Sequence, residues 1–183
     1  MKISTLQLPL ALLTFFATSS AFAMTPMLER ILAGIDTVPN HAELFMALDE
    51  PVAELESAAS DNDAPLYHRI RATSFLSTLN AEGGRDALLR LCDSPNSEIR
   101  RHAVYGLLRS TKGPLHAAEW TKIDTMLTSD NEAIRKDIVR GFRWSQDPRS
   151  SERLTRVSTI EGPLKSLALH VLKRRAVLLK AER

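Results

Sequence analysis

The 183-residue sequence contains one cysteine, seven glycines and only 5% aromatic residues. One cysteine, Cys92, cannot form an intramolecular disulfide, so the folded domain must depend on a packed apolar core. The scarcity of aromatic residues and the lack of runs that alternate β-branched and polar residues argue against a β-sheet. Leucine, alanine and arginine are the most frequent residues instead, which predicts an all-α fold.

Patterns typical of catalytic and metal sites are also missing. The five histidines include no i, i+4 pair, and neither His-Glu-x-x-His nor Cys-x-x-Cys occurs. Gly83-Gly84 and Gly162-Pro163 indicate turns between helices, not phosphate-binding loops. Cys92 follows the apolar residues of a predicted helix, where we expect a buried and inert thiol. We therefore expect no catalytic residue, no cofactor and no metal ion.

Residues 1–23 have the features of a bacterial-type secretory signal. Lys2 supplies the positive charge, residues 6–16 are uncharged and mostly apolar, and Ala21-Phe22-Ala23 fits the cleavage pattern. The eleven-residue stretch is shorter than the roughly 20 residues of a membrane-spanning helix. Cleavage after Ala23 would leave 160 residues, the size of one domain, in the periplasm or outside the cell. We expect no transmembrane segment in that remainder; an uncleaved N-terminal anchor is the alternative.

Four amphipathic segments repeat along the rest of the chain. Each has apolar residues at helical spacing, and each has a basic residue followed three positions later by a small or apolar residue. The basic residues are separated by 31, 35 and 30 positions, the period of a helix–turn–helix unit. They are Arg69, Arg100, Arg135 and Lys165. The predicted apolar faces comprise Ile99, Ala103, Val104, Leu107 and Leu108, then Ile134, Ile138, Val139 and Phe142, then Leu164, Ala168, Leu169 and Leu172.

Turns and weaker helical patterns fill the intervals. Asp, Asn and Ser in most of these turns are expected to cap the next helix. The turns lie at 60–63, 93–96, 129–131 and 161–163. Shorter helices are predicted at 51–59, at 84–92, at 115–128 and after Pro148.

This repeating arrangement resembles the HEAT-repeat family over about residues 51–181. The resemblance implies a short right-handed α-solenoid, armadillo-like in class, of about four helical hairpins over 51–183, with 24–50 as an N-terminal helical cap. A plain helical bundle is the alternative. In the family an acidic turn residue often pairs with the basic residue of the second helix. Asp63, six residues before Arg69, fits that pattern, whereas the other copies have serine or threonine at this position.

Charge is unevenly distributed. Residues 24–66 contain nine acidic residues and one arginine, a net charge of −8, whereas residues 67–183 have a net charge of +9. This asymmetry can mark an interaction surface, although basic residues can also merely solvate outer helix faces. The cluster Lys173-Arg174-Arg175, with Lys180, is interpreted as such a solvated face.

The favoured hypothesis is an exported, non-enzymatic interaction or scaffold module of the bacterial cell envelope. Its partner would be a protein, with an acidic surface as one option; self-association of acidic and basic ends is another, and export argues against nucleic acid. A small envelope hydrolase or lyase on the same scaffold is the alternative. Trp120 is expected in the core and Trp144 partly exposed. The predicted partner-binding residues are Arg100, Arg101, Arg135, Lys136, Arg140, Trp144 and Lys165.

Overall fold

The computed structural model describes residues 24–34, 39–79, 82–110 and 113–181. These ranges contain ten helices and no strand, which confirms the all-α prediction. None of the described helices is long and apolar enough to cross a membrane. The expected secretory signal, residues 1–23, lies outside the described residues. The helices are α1 Pro26–Ala33, α2 His41–Ala47, α3 Pro51–Ser60, α4 Leu66–Leu76, α5 Glu82–Leu91, α6 Ser97–Ser110, α7 Ala117–Leu127, α8 Glu132–Gly141, α9 Arg149–Thr159 and α10 Lys165–Ala181.

Two of the expected turn caps are confirmed. The side-chain oxygens of Asn96 and Asn131 accept hydrogen bonds from the first free backbone N–H groups of α6 and α8. The prediction of a side-chain cap before α4 is wrong. Pro65, which has no side-chain oxygen, occupies the cap position there, and the Asp61 carboxylate instead accepts the N–H of Asp63.

The helices from α3 to α10 pack in consecutive pairs. α3 packs against α4, α5 against α6, α7 against α8 and α9 against α10. We call α3, α5, α7 and α9 the first helices, and α4, α6, α8 and α10 the second helices. Each second helix also contacts the next, so that α4, α6, α8 and α10 form a continuous row.

The second helices supply the largest share of the core, on the faces that the apolar spacing predicts. Ile99, Val104 and Leu107 on α6 are fully buried, as are Ile138 and Val139 on α8. α10 follows the pattern less completely. Ala168 and Val171 are buried, but Leu169, which the pattern places on the apolar face, is 45% exposed and lies outside the core.

Ion pairs tie the first helices together across successive pairs. Their partners are 29 or 34 residues apart, about one repeat, so each pair joins similar positions in neighbouring units. Glu119 is buried, and its carboxylate accepts hydrogen bonds from the Arg85 guanidinium and from the backbone N–H of His116. The pairs are Glu56–Arg90, Arg85–Glu119, Asp93–Lys122 and Asp124–Arg153.

Residues 24–50 pack onto the repeats. α1 contacts α4, and Leu28, Leu32, Leu44 and Leu48 are buried in the same apolar cluster as the second helices. Residues 24–50 therefore contribute apolar side chains to the same core as the helices that follow.

The segment between α8 and α9 is held by two buried charged side chains. Asp147, 1% exposed, accepts five hydrogen bonds: from Leu115 N–H, from the Trp120 indole, and from the backbone and guanidinium of Arg149. Trp120 is buried, as expected. Arg149 also donates to the Leu115 carbonyl. The start of α7 and the start of α9 are therefore joined through one carboxylate.

Arg175 of α10 approaches the same segment from the other side. Its guanidinium donates to the carbonyls of Phe142, Ser145 and Asp147 and to the Ser151 hydroxyl. The residue is 3% exposed, so its interpretation as part of a solvated basic face is wrong. The carbonyls of Phe142 and Ser145 accept from Arg175, and the Asp147 carbonyl accepts from both Arg175 and the Ser150 N–H of α9. The guanidinium therefore ties this segment to α10.

Close approach between α6 and α8 requires glycine at position 141. A Cβ there would lie 2.8 Å from Leu108 Cδ1 and 3.1 Å from Leu108 Cβ. Leu108 is fully buried and cannot move into solvent. The absence of a side chain at Gly141 thus sets the separation of these two helices.

Replacing Gly141 with alanine should destabilise the protein by about 1–2 kcal/mol, because overpacking against Leu108 outweighs the gain in helix propensity. The measurement is the free energy of unfolding in urea. Gly113→Ala is the matched control, since a Cβ at Gly113 meets nothing within 4 Å. Equal stability of the two variants would contradict the packing argument.

Candidate functional site

Three of the predicted partner-binding residues stabilise the turns before their own helices. Arg100 donates to the carbonyls of Ser94 (2.7 Å) and Pro95 (3.0 Å). Arg135 donates to the Ser129 carbonyl, and Lys165 pairs with Glu161. Their charges remain near the surface, but replacing them would disturb the turns.

The basic residue of the first copy behaves similarly. Arg69 is buried, and its Nε donates to the Ala59 carbonyl at 3.1 Å. The expected partner, Asp63, is not its hydrogen-bond acceptor. Arg69, Arg100 and Arg135 thus each donate to a backbone carbonyl, not to the acidic side chain that the HEAT resemblance implies. For Arg100 and Arg135 the carbonyl is that of the serine six residues earlier.

Arg101 and Arg140, also predicted, meet at one carboxylate. Arg101 Nε lies 2.9 Å from Asp137 Oδ2, and Arg140 Nη1 lies 2.8 Å from Asp137 Oδ1. Arg101 also pairs with Glu98. Asp137 therefore holds two arginines, one from α6 and one from α8, at the junction of two second helices.

These residues line a groove of about 380 Å³ on the row of second helices. We call it the second-helix groove. On α6, Arg101, Tyr105 and Arg109 are spaced at i, i+4 and i+8, which places them on one helix face. The lining residues are Ser74, Ser77, Arg101, His102, Tyr105, Gly106, Arg109, Asp137 and Arg140.

Positive charge predominates in the groove. Three arginines line it against the carboxylate of Asp137. The pKa of His102 is lowered, first by burial and then by repulsion from Arg101, so its imidazole is neutral at pH 7. A groove with this balance attracts anionic groups.

Trp144 lies beside this groove and is 42% exposed, as the sequence indicates. Its indole N–H donates to the Tyr105 hydroxyl at 3.2 Å. The Arg143 guanidinium lies 4.6 Å from the indole ring centroid, in a cation–π contact. The groove thus has an aromatic edge whose orientation is fixed on two sides.

Lys136, the remaining predicted residue, pairs with Glu132 one turn earlier, and both side chains are over 40% exposed. Such a surface pair contributes little to stability or binding. The structure therefore brings together Arg101, Arg140 and Trp144, and places Arg100, Arg135, Lys136 and Lys165 elsewhere.

Sequence reasoning missed Tyr105, Arg109 and Asp137. The i, i+4, i+8 spacing from Arg101 is a signal that could have identified the first two. Asp137 could not be identified that way, because its role depends on which face of α8 meets α6. The expectation for Cys92 is confirmed: the thiol is buried, and burial raises its pKa to about 12, so it stays protonated.

Searches of protein-family models, curated proteins and solved structures find no match for this chain. The chemistry of the second-helix groove is therefore the basis for assigning a function.

Proposed function

We propose that the chain is an exported, non-enzymatic interaction module of the cell envelope that binds an acidic protein segment in the second-helix groove. The observation that carries this proposal is that Arg101, Arg109 and Arg140 line one groove, in which Arg101 and Arg140 share the carboxylate of Asp137. The signal-like features of residues 1–23 support export.

The scaffold in this proposal is a short HEAT-like α-solenoid. Two observations support it: each second helix contacts the next, and ion pairs about one repeat apart join the first helices. In a solenoid each repeat contacts mainly its neighbours, and the row of second helices forms an extended binding surface.

An acidic peptide segment fits the groove better than a neutral one. Arg109 is exposed, and no ion pair involving it occurs among the described residues. Arg140 is largely exposed and shares Asp137 with Arg101. Carboxylates of a partner can therefore reach both guanidinium groups, while an apolar side chain packs against Trp144.

Charge reversal at Arg109 and Arg140 together should weaken binding of a fluorescein-labelled glutamate-rich peptide by at least about tenfold, because two attractive contacts become repulsive. Fluorescence anisotropy measures the affinity. Raising NaCl from about 0.05 to about 0.5 M should weaken the wild-type interaction as well, since exposed charges are screened. The two arginines are chosen because neither donates to a turn carbonyl.

The control is Lys173→Glu with Arg174→Glu, which changes the net charge equally on exposed positions of α10. It should retain near wild-type affinity. An equal loss of peptide affinity in both double variants would show that net charge alone drives binding, and would contradict the proposed site. The same pair of proteins, used to capture partners from an envelope fraction, would test the function in its proposed compartment.

A further inference from the structure

A second cleft, of about 440 Å³, lies between α7, α9 and the turn that leads into α10. We call it the terminal cleft. Its volume falls in the range of roughly 300–1,000 Å³ that small-molecule sites occupy. It is distinct from the second-helix groove, because the two share no lining residue. Its apolar wall consists of Leu127, Val157, Ile160, Pro163 and Leu164.

The apolar wall is built by the way α9 ends. Ile160 follows the last turn of α9 and is 61% exposed, although it faces a concave surface of other apolar side chains. Gly162 adopts a φ of +150°, which side-chain-bearing residues rarely adopt, and this allows the chain to turn into Pro163. A large aliphatic side chain exposed at a concave site gains from covering by an apolar ligand.

Arginines surround the apolar wall. Arg153 makes two hydrogen bonds to Asp124 and lies 3.9 Å from the Trp120 ring centroid. Arg135 donates to the Ser129 carbonyl, which leaves its positive charge without a carboxylate partner among the described ion pairs. Within the described chain, Arg156 is exposed and its guanidinium has neither an ion pair nor a hydrogen bond.

The acidic residues of the cleft are already neutralised. Asp124 binds Arg153, and Glu161 binds Lys165. Three arginines and two carboxylates line the cleft, and Arg135 and Arg156 are the two arginines without a partner among the described ion pairs. An apolar pocket with two cationic groups on its edge is complementary to an apolar chain with an anionic head.

We propose that the terminal cleft binds a free medium-chain carboxylic acid. The acyl chain lies along the wall of Val157, Ile160 and Leu164, and the carboxylate lies against Arg156 and Arg135. A protein helix is about 10–12 Å across with its side chains, so a volume of 440 Å³ would hold only about one of its turns. The assignment concerns a site separate from the proposed peptide-binding groove and does not depend on it.

The test is a calorimetric titration of the purified protein with dodecanoate below its micellar concentration. Acetate and dodecyltrimethylammonium are the matched probes, since one lacks the chain and the other reverses the head-group charge. We expect saturable binding of dodecanoate, at least about tenfold weaker binding of the ammonium compound and no binding of acetate. Absence of dodecanoate binding, or equal affinity for both twelve-carbon probes, would overturn the proposal.

Two variants place the site. Arg156→Gln and Ile160→Ser each alter an exposed side chain, so both should fold, and each should weaken dodecanoate binding by about tenfold or more. Two variants are controls: Arg174→Gln removes an exposed arginine from α10, and Arg140→Gln removes one from the second-helix groove. Both should bind dodecanoate as tightly as the wild type does. Unchanged binding by the first two variants, at equal melting temperature, would contradict the assignment. Because Arg140→Gln affects only the groove, failure of either proposal can be recognised separately.

Discussion

Replacing Asp147 with asparagine should lower the free energy of unfolding by about 3 kcal/mol, because one of the two acceptor oxygens becomes an N–H₂ group that faces donors. In the native protein the carboxylate accepts five hydrogen bonds from Leu115, Trp120 and Arg149 while almost fully buried. For a domain of this size the expected fall in melting temperature is about 6–12 °C. Thermal unfolding followed by circular dichroism measures it.

Asp130→Asn is the control for this substitution. Asp130 is exposed in the turn before α8, so removal of its charge should change stability by less than about 0.5 kcal/mol. If the two variants melt at the same temperature, the network around Asp147 is not a determinant of stability.

The stabilisation from Asp147 should also depend on pH. Hydrogen bonds from Arg149 hold the pKa of this carboxyl well below its ordinary value near 3.8. Because the pKa is lower in the folded than in the unfolded state, the contribution is complete above about pH 4 and is lost as the pH falls further. The difference in stability between the wild type and Asp147→Asn should therefore narrow below pH 4.

Replacing Arg175 with methionine should lower the free energy of unfolding by about 3 kcal/mol, because the carbonyls of Phe142 and Ser145 lose their donor inside the protein. The Asp147 carbonyl would keep only the Ser150 N–H. Methionine keeps a similar length and an apolar stem, so the loss reports on hydrogen bonding more than on packing. Urea unfolding of the two proteins gives the difference directly.

Two further variants make this prediction specific. Arg174→Met changes the neighbouring exposed arginine and should be nearly neutral. Arg175→Lys retains one charged donor group, so its free energy of unfolding should lie between those of the wild type and Arg175→Met. An ammonium cannot reproduce the planar set of guanidinium donors. A stability for Arg175→Met equal to that for Arg174→Met would refute the role assigned to Arg175.

The helices and most of the core could be predicted from the sequence. The apolar faces of α6 and α8 follow helical spacing so closely that residues such as Ile99 and Ile138 were assigned to the core correctly. These features are local, because burial of one helix face is encoded within that helix. Leu169 departs from the pattern because its burial depends on what packs over α10, which spacing within one helix does not encode.

The roles of charged residues were much less predictable. Arg174 and Arg175 are adjacent in the sequence and chemically identical, yet one is exposed and the other is buried with four acceptors. Which of them turns inward depends on the position of the 142–147 segment, more than twenty-five residues away. The second-helix groove also depends on contacts between distant residues. Asp137 pairs with both Arg101 and Arg140 only when α8 packs on α6.

The side-chain bonds that join different helix pairs have a kinetic consequence. Those described above connect residues between 27 and 39 positions apart, from Trp120–Asp147 to Tyr105–Trp144. None requires distant parts of the chain to meet, so little loop-closure entropy separates the unfolded chain from its first native contacts. Contacts between neighbouring helix pairs are closer in sequence than contacts between the two ends of the chain, which favours rapid folding. Loss of α9 and α10 would leave the contacts among α3 to α6 in place, so we expect unfolding to begin at α9 and α10.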